Sequence, residues 1–446
     1  MTVTEVHPPV SRQQLFWCTP ELSDAFSPRF IICRALRITG RIDQTALQAA
    51  LDDVVARHEM LRTVVVRDGQ PPYQRIHPPA PVRLTVRELP PTPPEARQRV
   101  AEEQLVEAEE SSVEIGELPL LRAGLARFDD RDSVLSLVCH HSACDGWSMN
   151  LLVRDLVECY AARTGERPLN LPDAPPYQDY ARWQLATIAE PGMAAKMAYW
   201  QRKLKDARLF TLPTDHPIPR VHTAPHVRHP FTVDGEVAAA IRQFIKAQRC
   251  SGFMLMLAVF NLLAHRISGT LDPAVSTMVH GRGEPRFKNT VGLFLNFPTM
   301  RTDLSGCRSF REVIRATRTT CLEAYENEVP HWQLLEAMPE VGEPLADPSN
   351  SYVVFGYWDA SLTGATGEPY EIGESASVIR KRSRVSEKLP SGACWNMGMS
   401  PSGDVGGGLQ YSPEVFEEAT VAGWVSEFCR LLAAAMADPD QDWQRL

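Results

Sequence analysis

His140-His141-Ser142-Ala143-Cys144-Asp145-Gly146 follows directly on the apolar run Val134-Leu135-Ser136-Leu137-Val138-Cys139. After Gly146 come Ser148, a residue type that caps helices, and an amphipathic segment with Met149, Leu152, Val153, Leu156 and Tyr160 on one face. The stretch reads as strand, tight loop and helix, with both imidazoles at the strand end, where backbone ends and side chains face clefts. Side chains alternate along a strand, so the two histidines point to opposite sides and are poorly placed to share a metal.

The rest of the chain bounds the setting. At 446 residues it is long enough to bury a large core, and its length suggests two or three domains or lobes. Net charge of -9 argues against a partner that presents a phosphate backbone, so no nucleic acid is expected. The amino-terminal residues carry no basic stretch followed by an apolar core. The longest apolar run, Phe253 to Ala264, contains Asn261 and falls short of the roughly 20 residues that span a bilayer. A soluble, cytoplasmic protein with no membrane partner is expected. The 10 cysteines show no paired close spacing and read as free thiols rather than a disulfide framework. The 12 histidines form no His-Glu-x-x-His and no other ligand spacing, so no metal site is expected.

Along the chain, helix and strand patterns alternate. Leu47, Leu51, Val54 and Val55 make a helical stripe behind a cap at Asp43, and Leu61 to Val66 reads as a strand ending at Asp68-Gly69. The proline-rich stretch from Asn170 to Pro176 suggests a boundary, followed by one helical stretch from about Gln178 to Leu204. Further helices are expected over Phe253 to His265, Phe310 to Tyr325 and Pro413 to Met436, and strands over Pro273 to Val279 and Tyr352 to Tyr357. Gly406-Gly407-Gly408 reads as a bulge or turn before a strand, and Arg380-Lys381-Arg382-Ser383-Arg384 as a solvated basic loop, with a contact to an acidic carrier protein or a phosphopantetheine phosphate as the alternative. The pattern suggests two mixed α/β lobes, 1–175 and 176–446, with one active centre in the first.

The pattern His-His-x-x-x-Asp-Gly resembles the signature of condensation domains of non-ribosomal peptide synthetases, members of the chloramphenicol-acetyltransferase-like acyltransferases. Further stretches resemble the family's motifs in the same order: Ser11 to Trp17, Arg57-His58-Glu59-Met60-Leu61-Arg62-Thr63, Tyr177 to Trp183, Leu212 to Asp215, Gly281-Arg282 and Val291 to Asn296. The resemblance implies an α/β fold of two chloramphenicol-acetyltransferase-like mixed-sheet lobes in a V with a central tunnel. It implies an acyltransferase that moves an acyl or aminoacyl group from a carrier-protein phosphopantetheine thioester to an amine or alcohol. No permanent cofactor is implied beyond the phosphopantetheine arm of an acyl or peptidyl carrier protein acting in trans. The acceptor is a small molecule or is itself carrier-bound. The chain departs from the family at Glu326 to Trp332, at Asp347 to Ser351 and at Ala143-Cys144. These departures put the usual aminoacyl substrates in doubt.

Such a reaction needs a proton acceptor for the attacking group and a donor for the oxyanion at the acyl carbonyl. His141 is the candidate acceptor, since imidazole titrates near cellular pH. Gly146 permits close backbone approach and offers its N–H to the carbonyl. Asp145 belongs to the same catalytic signature. In the family it pairs with the arginine of Leu-Arg-Thr, here Arg62, so Arg62 and His140 are expected to support the site. Cys144, Trp147, Asn296, Ser349 and Trp395 are candidates to line a substrate tunnel, although core packing suits Trp395 equally. Cys144 as a nucleophile is the weaker reading, because no acidic partner or helix N-terminus clearly lowers its pKa. A CoA-dependent acyltransferase of the same superfamily, an epimerisation domain and a non-catalytic recruitment domain are the rivals. The epimerisation reading expects a Trp-Phe-Thr type sequence that is absent here.

Overall fold

The computed structural model describes residues 7–17, 30–219, 224, 226–233, 235–346, 349–359, 375–378, 385–386, 393–399 and 405–446. The chain forms two compact units. The first comprises Met1–Ala189, His280–Leu295 and Glu368–Ser383; the second comprises Glu190–Val279, Asn296–Gly367 and Arg384–Leu446. The sequence places a single cut after residue 175. The first unit instead runs on through Ala189 and takes in two later segments, an arrangement set by contacts distant in sequence.

The first unit is built on a five-stranded sheet in the order Ser375–Val378, Ile31–Thr39, Asp132–His140, Leu121–Asp129, Arg83–Glu88. Its pairs are antiparallel except the last, which is parallel. Every residue of Asp132–His140 is buried. The central strand is covered on both faces, so its sequence is a nearly unbroken apolar run rather than an alternation. Leu135, Leu137 and Cys139 enter the main core with the helices Gln44–Arg57 and Gly146–Arg163, whereas Val134 joins Ala101 and Leu105 of the helix Pro94–Glu109. Asp43 caps Gln44–Arg57 by accepting from the N–H groups of Thr45 and Ala46, as its sequence suggests. The expected strand from Leu61 begins later, because Glu59–Arg62 forms a 3-10 turn ahead of Thr63–Val66.

The second unit holds a sheet in the order Thr299–Arg301, Ala274–Thr277, Asn350–Asp359, Ala393–Met399, Val405–Tyr411, His226–Val233, Val385–Ser386. Asn350–Asp359 runs parallel to both of its neighbours in this path. Its core is aromatic: the Phe260 ring lies 4.9 Å from Phe355 and 5.4 Å from Trp395, which in turn lies 5.3 Å from Phe428. Phe260 sits on the helix Gly252–Ser268, capped by the Ser251 hydroxyl and ended by the left-handed Gly269. Gly406-Gly407-Gly408 is not a bulge or turn but lies inside a regular strand paired on both sides. The helical stretch expected from 178 to 204 is two helices, Tyr177–Ile188 and Pro191–Lys203, the second opening on a proline whose missing N–H is tolerated there. The basic run 380–384 lies outside the described residues.

Candidate active site

The central strand of the first unit ends at His140, and the chain turns at once. His140 N–H donates to Leu120 O at 3.0 Å, His141 N–H to Phe30 O at 2.8 Å, and Ala143 N–H to His140 O at 3.0 Å. His140 is buried; its Nδ1 accepts the Ser142 N–H at 3.1 Å and lies 2.7 Å from Ser142 Oγ. Burial, helped by neighbouring His141, pushes the His140 pKa down to about 4, so its ring is neutral and holds the loop's shape. His141 is partly exposed, and its ring stacks on Phe30 with centroids 4.5 Å apart. Burial lowers the His141 pKa against the opposing pull of its own backbone and of the Asp145 charge. At neutral pH His141 is an uncharged imidazole, the form that accepts a proton.

Asp145, not Ser148, caps the helix Gly146–Arg163, accepting the Ser148 N–H at 2.8 Å. Its carboxylate is fully buried and paired with Arg282 rather than Arg62. Arg282 Nη1 donates to Oδ2 at 2.9 Å and Nη2 to Oδ1 at 3.2 Å, while the Phe294 N–H donates to Oδ2 at 3.0 Å. Burial alone raises a carboxyl pKa, but the Arg282 charge and these hydrogen bonds outweigh it and hold Asp145 below its usual value. Arg282 also donates to Ser148 Oγ at 2.8 Å and lies over the Phe294 ring at 4.0 Å. Arg62 is turned elsewhere, donating to the backbone carbonyls of His77 at 2.6 Å and Val55 at 3.4 Å.

The other motifs bond to this helix and to one another. Ser148 Oγ donates to Gly292 O at 2.8 Å and accepts from Gly292 N at 3.0 Å. Tyr177 Oη donates to Leu293 O at 2.5 Å and lies 2.8 Å from Ser11 Oγ. Gly292 has no alternative residue, since an added Cβ would sit 2.0 Å from the Tyr177 ring. Gly281 has φ of 63°, and a Cβ there would meet Phe294 O at 1.8 Å. Arg57 and His58 clamp buried Asp155 on the Gly146–Arg163 helix, at 2.9 and 2.8 Å. Glu59 accepts the Gln178 N–H at 3.0 Å in the first turn of Tyr177–Ile188. Gly146 itself takes the first helical position, where a backbone N–H has no intrahelical acceptor and meets developing negative charge well.

The remaining sequence candidates scatter. Trp147 donates its indole N–H to Lys288 O at 2.9 Å and sits 5.3 Å from the His280 ring. Cys144 is fully buried, which pushes its thiol pKa well up and leaves no thiolate to act as nucleophile. Asn296, in the second unit, is buried and spends its amide on Glu328 Oε1, Val329 O and the His331 N–H. Trp395 lies at the centre of the second unit's core, fully buried, and is not a lining residue. Ser349 is exposed, its carbonyl accepting from the Thr214 N–H. Among the described residues no cluster of three metal-ligating side chains occurs, and no single helix is long and apolar enough to cross a membrane. Sequence reasoning missed the roles of Arg282, Phe30, Ser142 and Asp155. Gly281-Arg282 was the one visible signal, a motif match without an assigned partner.

The family model of the condensation domain matches residues 4–446. The chain belongs to the condensation-domain family. This condensation domain is 31% identical over 438 residues to chondramide synthase cmdD of Chondromyces crocatus, covering 97% of this chain but only 11% of that protein. Among solved structures it resembles the SgcC5 protein of Streptomyces globisporus, with a TM-score of 0.89 and 38% identity over 98% of this chain and 100% of that one. SgcC5 is in complex with (R)-(-)-1-(2-naphthyl)-1,2-ethanediol and sucrose. The X-domain from teicoplanin biosynthesis shares the fold, with a TM-score of 0.81 at 24% identity over 99% of this chain and 97% of that one. The fold is thus the chloramphenicol-acetyltransferase-like one, and the relatives make natural products.

Proposed function

We propose that this condensation domain is an acyltransferase that takes an acyl or aminoacyl group from the phosphopantetheine thioester of a carrier protein supplied in trans. The acceptor is an amine or an alcohol, and the product an amide or an ester. His141 removes the proton as the acceptor's nitrogen or oxygen bonds to the thioester carbonyl carbon. The oxyanion so formed meets the Gly146 N–H. Collapse breaks the carbon–sulfur bond, and the proton passes from His141 to the leaving thiolate. Asp145 touches no substrate in this scheme; with Arg282 it fixes the loop and the helix start. No enzyme nucleophile is required, in keeping with the buried Cys144 thiol.

One observation carries the reading: a partly exposed, neutral imidazole is anchored in the loop that leads into the first turn of Gly146–Arg163 in a chain of this family. An alcohol acceptor gains support from the diol held by SgcC5. The test offers one acyl group on a carrier protein, on CoA and on a simple thioester. Remote contacts with the carrier surface help position the reacting carbonyl, so the carrier-bound donor turns over fastest. Equal or faster transfer from CoA replaces this reading with a CoA-dependent acyltransferase. Tight carrier binding without any turnover points to a recruitment domain.

A further inference from the structure

One residue outside every motif touches His141 in two ways. The Phe30 carbonyl accepts the His141 N–H at 2.8 Å, which sets the height of the backbone as it leaves the central strand. The Phe30 side chain stacks on the imidazole with centroids 4.5 Å apart and planes 9° apart. The same ring meets His140 edge-on, with centroids 6.3 Å apart and planes at 81°. Main chain and ring of His141 therefore both meet Phe30, the residue immediately before Ile31–Thr39, a strand paired with the histidine strand along its length.

We propose that Phe30 is a positioning residue for proton transfer, its ring face fixing the plane of the His141 imidazole and stabilising the imidazolium formed as the acceptor attacks. An aromatic face attracts a cation, and the attraction grows where water is excluded. The neutral ring gains only packing from the same contact, so the stack favours the protonated state that exists during the reaction. The Asp145 charge, which Arg282 largely balances, acts on His141, and its neighbour His140 is neutral at reaction pH. Neither lies in the strand that follows Phe30, Ile31–Thr39.

The proposal rests on His141 as the proton acceptor, but its decisive measurement needs no turnover. Follow the His141 ring by NMR in the full chain labelled at histidine, with the resonance assigned from His141→Ala. If Phe30 only excluded water, Phe30→Leu would admit water and raise the His141 pKa. If its ring face holds the imidazolium, Phe30→Leu lowers that pKa by roughly 0.4 to 1.5 units, and Phe30→Trp restores it. With a loaded carrier, Phe30→Leu lowers kcat about 2- to 30-fold at unchanged acceptor KM, and Phe30→Trp recovers most of the loss. An unchanged or raised pKa in Phe30→Leu overturns the proposal, as does a Trp variant no better than Leu. Full activity in His141→Ala would instead remove the functional reading and leave the pKa result standing.

Discussion

Breaking the Asp145–Arg282 pair tests the construction of the site more sharply than removing any surface charge. Both side chains are about 99% buried, and Asp145 accepts from two guanidinium nitrogens and two backbone N–H groups. Arg282→Ala leaves a buried carboxylate with only the Ser148 and Phe294 N–H groups, at an expected cost of about 3–5 kcal/mol. Asp145→Ala strands the guanidinium among His280 O, Ser148 Oγ and Thr290 O, and also removes the helix cap, worth about 1 kcal/mol. The double variant removes both charges, so its loss falls short of the sum by about 1–3 kcal/mol. Urea unfolding at constant m reads these differences from the midpoint. Arg62→Ala is the control: it loses bonds to carbonyls and combines with Asp145→Ala additively within about 0.5 kcal/mol. Additive losses for Asp145 with Arg282, or strong coupling of Asp145 with Arg62, would refute this assignment of the brace.

Three further outcomes follow from the same geometry. Because burial lowers the His141 pKa, the neutral base predominates at pH 7 and the acid limb of kcat has its midpoint below the ordinary histidine value of about 6.5; a midpoint above that value contradicts the lowered pKa. Gly281→Ala forces a side chain into a left-handed backbone and onto Phe294 O, so it destabilises by more than about 1 kcal/mol in chemical unfolding, whereas Gly423→Ala, with open space around it, costs nothing or stabilises slightly. Cys144 resists iodoacetamide in the folded protein at pH 8, as mass spectrometry of the peptide would show, and rapid labelling contradicts its burial.

The histidine strand and its helix were legible because burial on both faces leaves a continuous apolar run, and the helix stripe follows the 3.6-residue period. The loop between them was legible through its motif. Its partner was not: Arg282 lies 137 residues from Asp145, and no local pattern in one sequence records that contact. Ser148 looked like the cap because its residue type permits it; Asp145 takes the position, and the hydroxyl is spent on Gly292. Gly406 to Gly408 misled for the opposite reason. Composition signals a turn, but Gly407 and Gly408 are there because Cβ atoms would meet Asn396 O at 2.5 Å and His229 O at 2.6 Å. Trp395 illustrates the general limit. An aromatic residue suits a cleft and a core alike, and only the packing against Phe260 and Phe428 decides.

The central claim is that the motifs of the first unit hold His141 ready to take a proton. Its most direct test is single-turnover transfer from an acyl-loaded carrier protein by His141→Ala, with folding checked by urea midpoint against the parent. The account predicts a folded protein whose transfer rate falls roughly 10²–10⁴-fold, the scale of a lost general base. A variant that folds and transfers at the parent rate would contradict it.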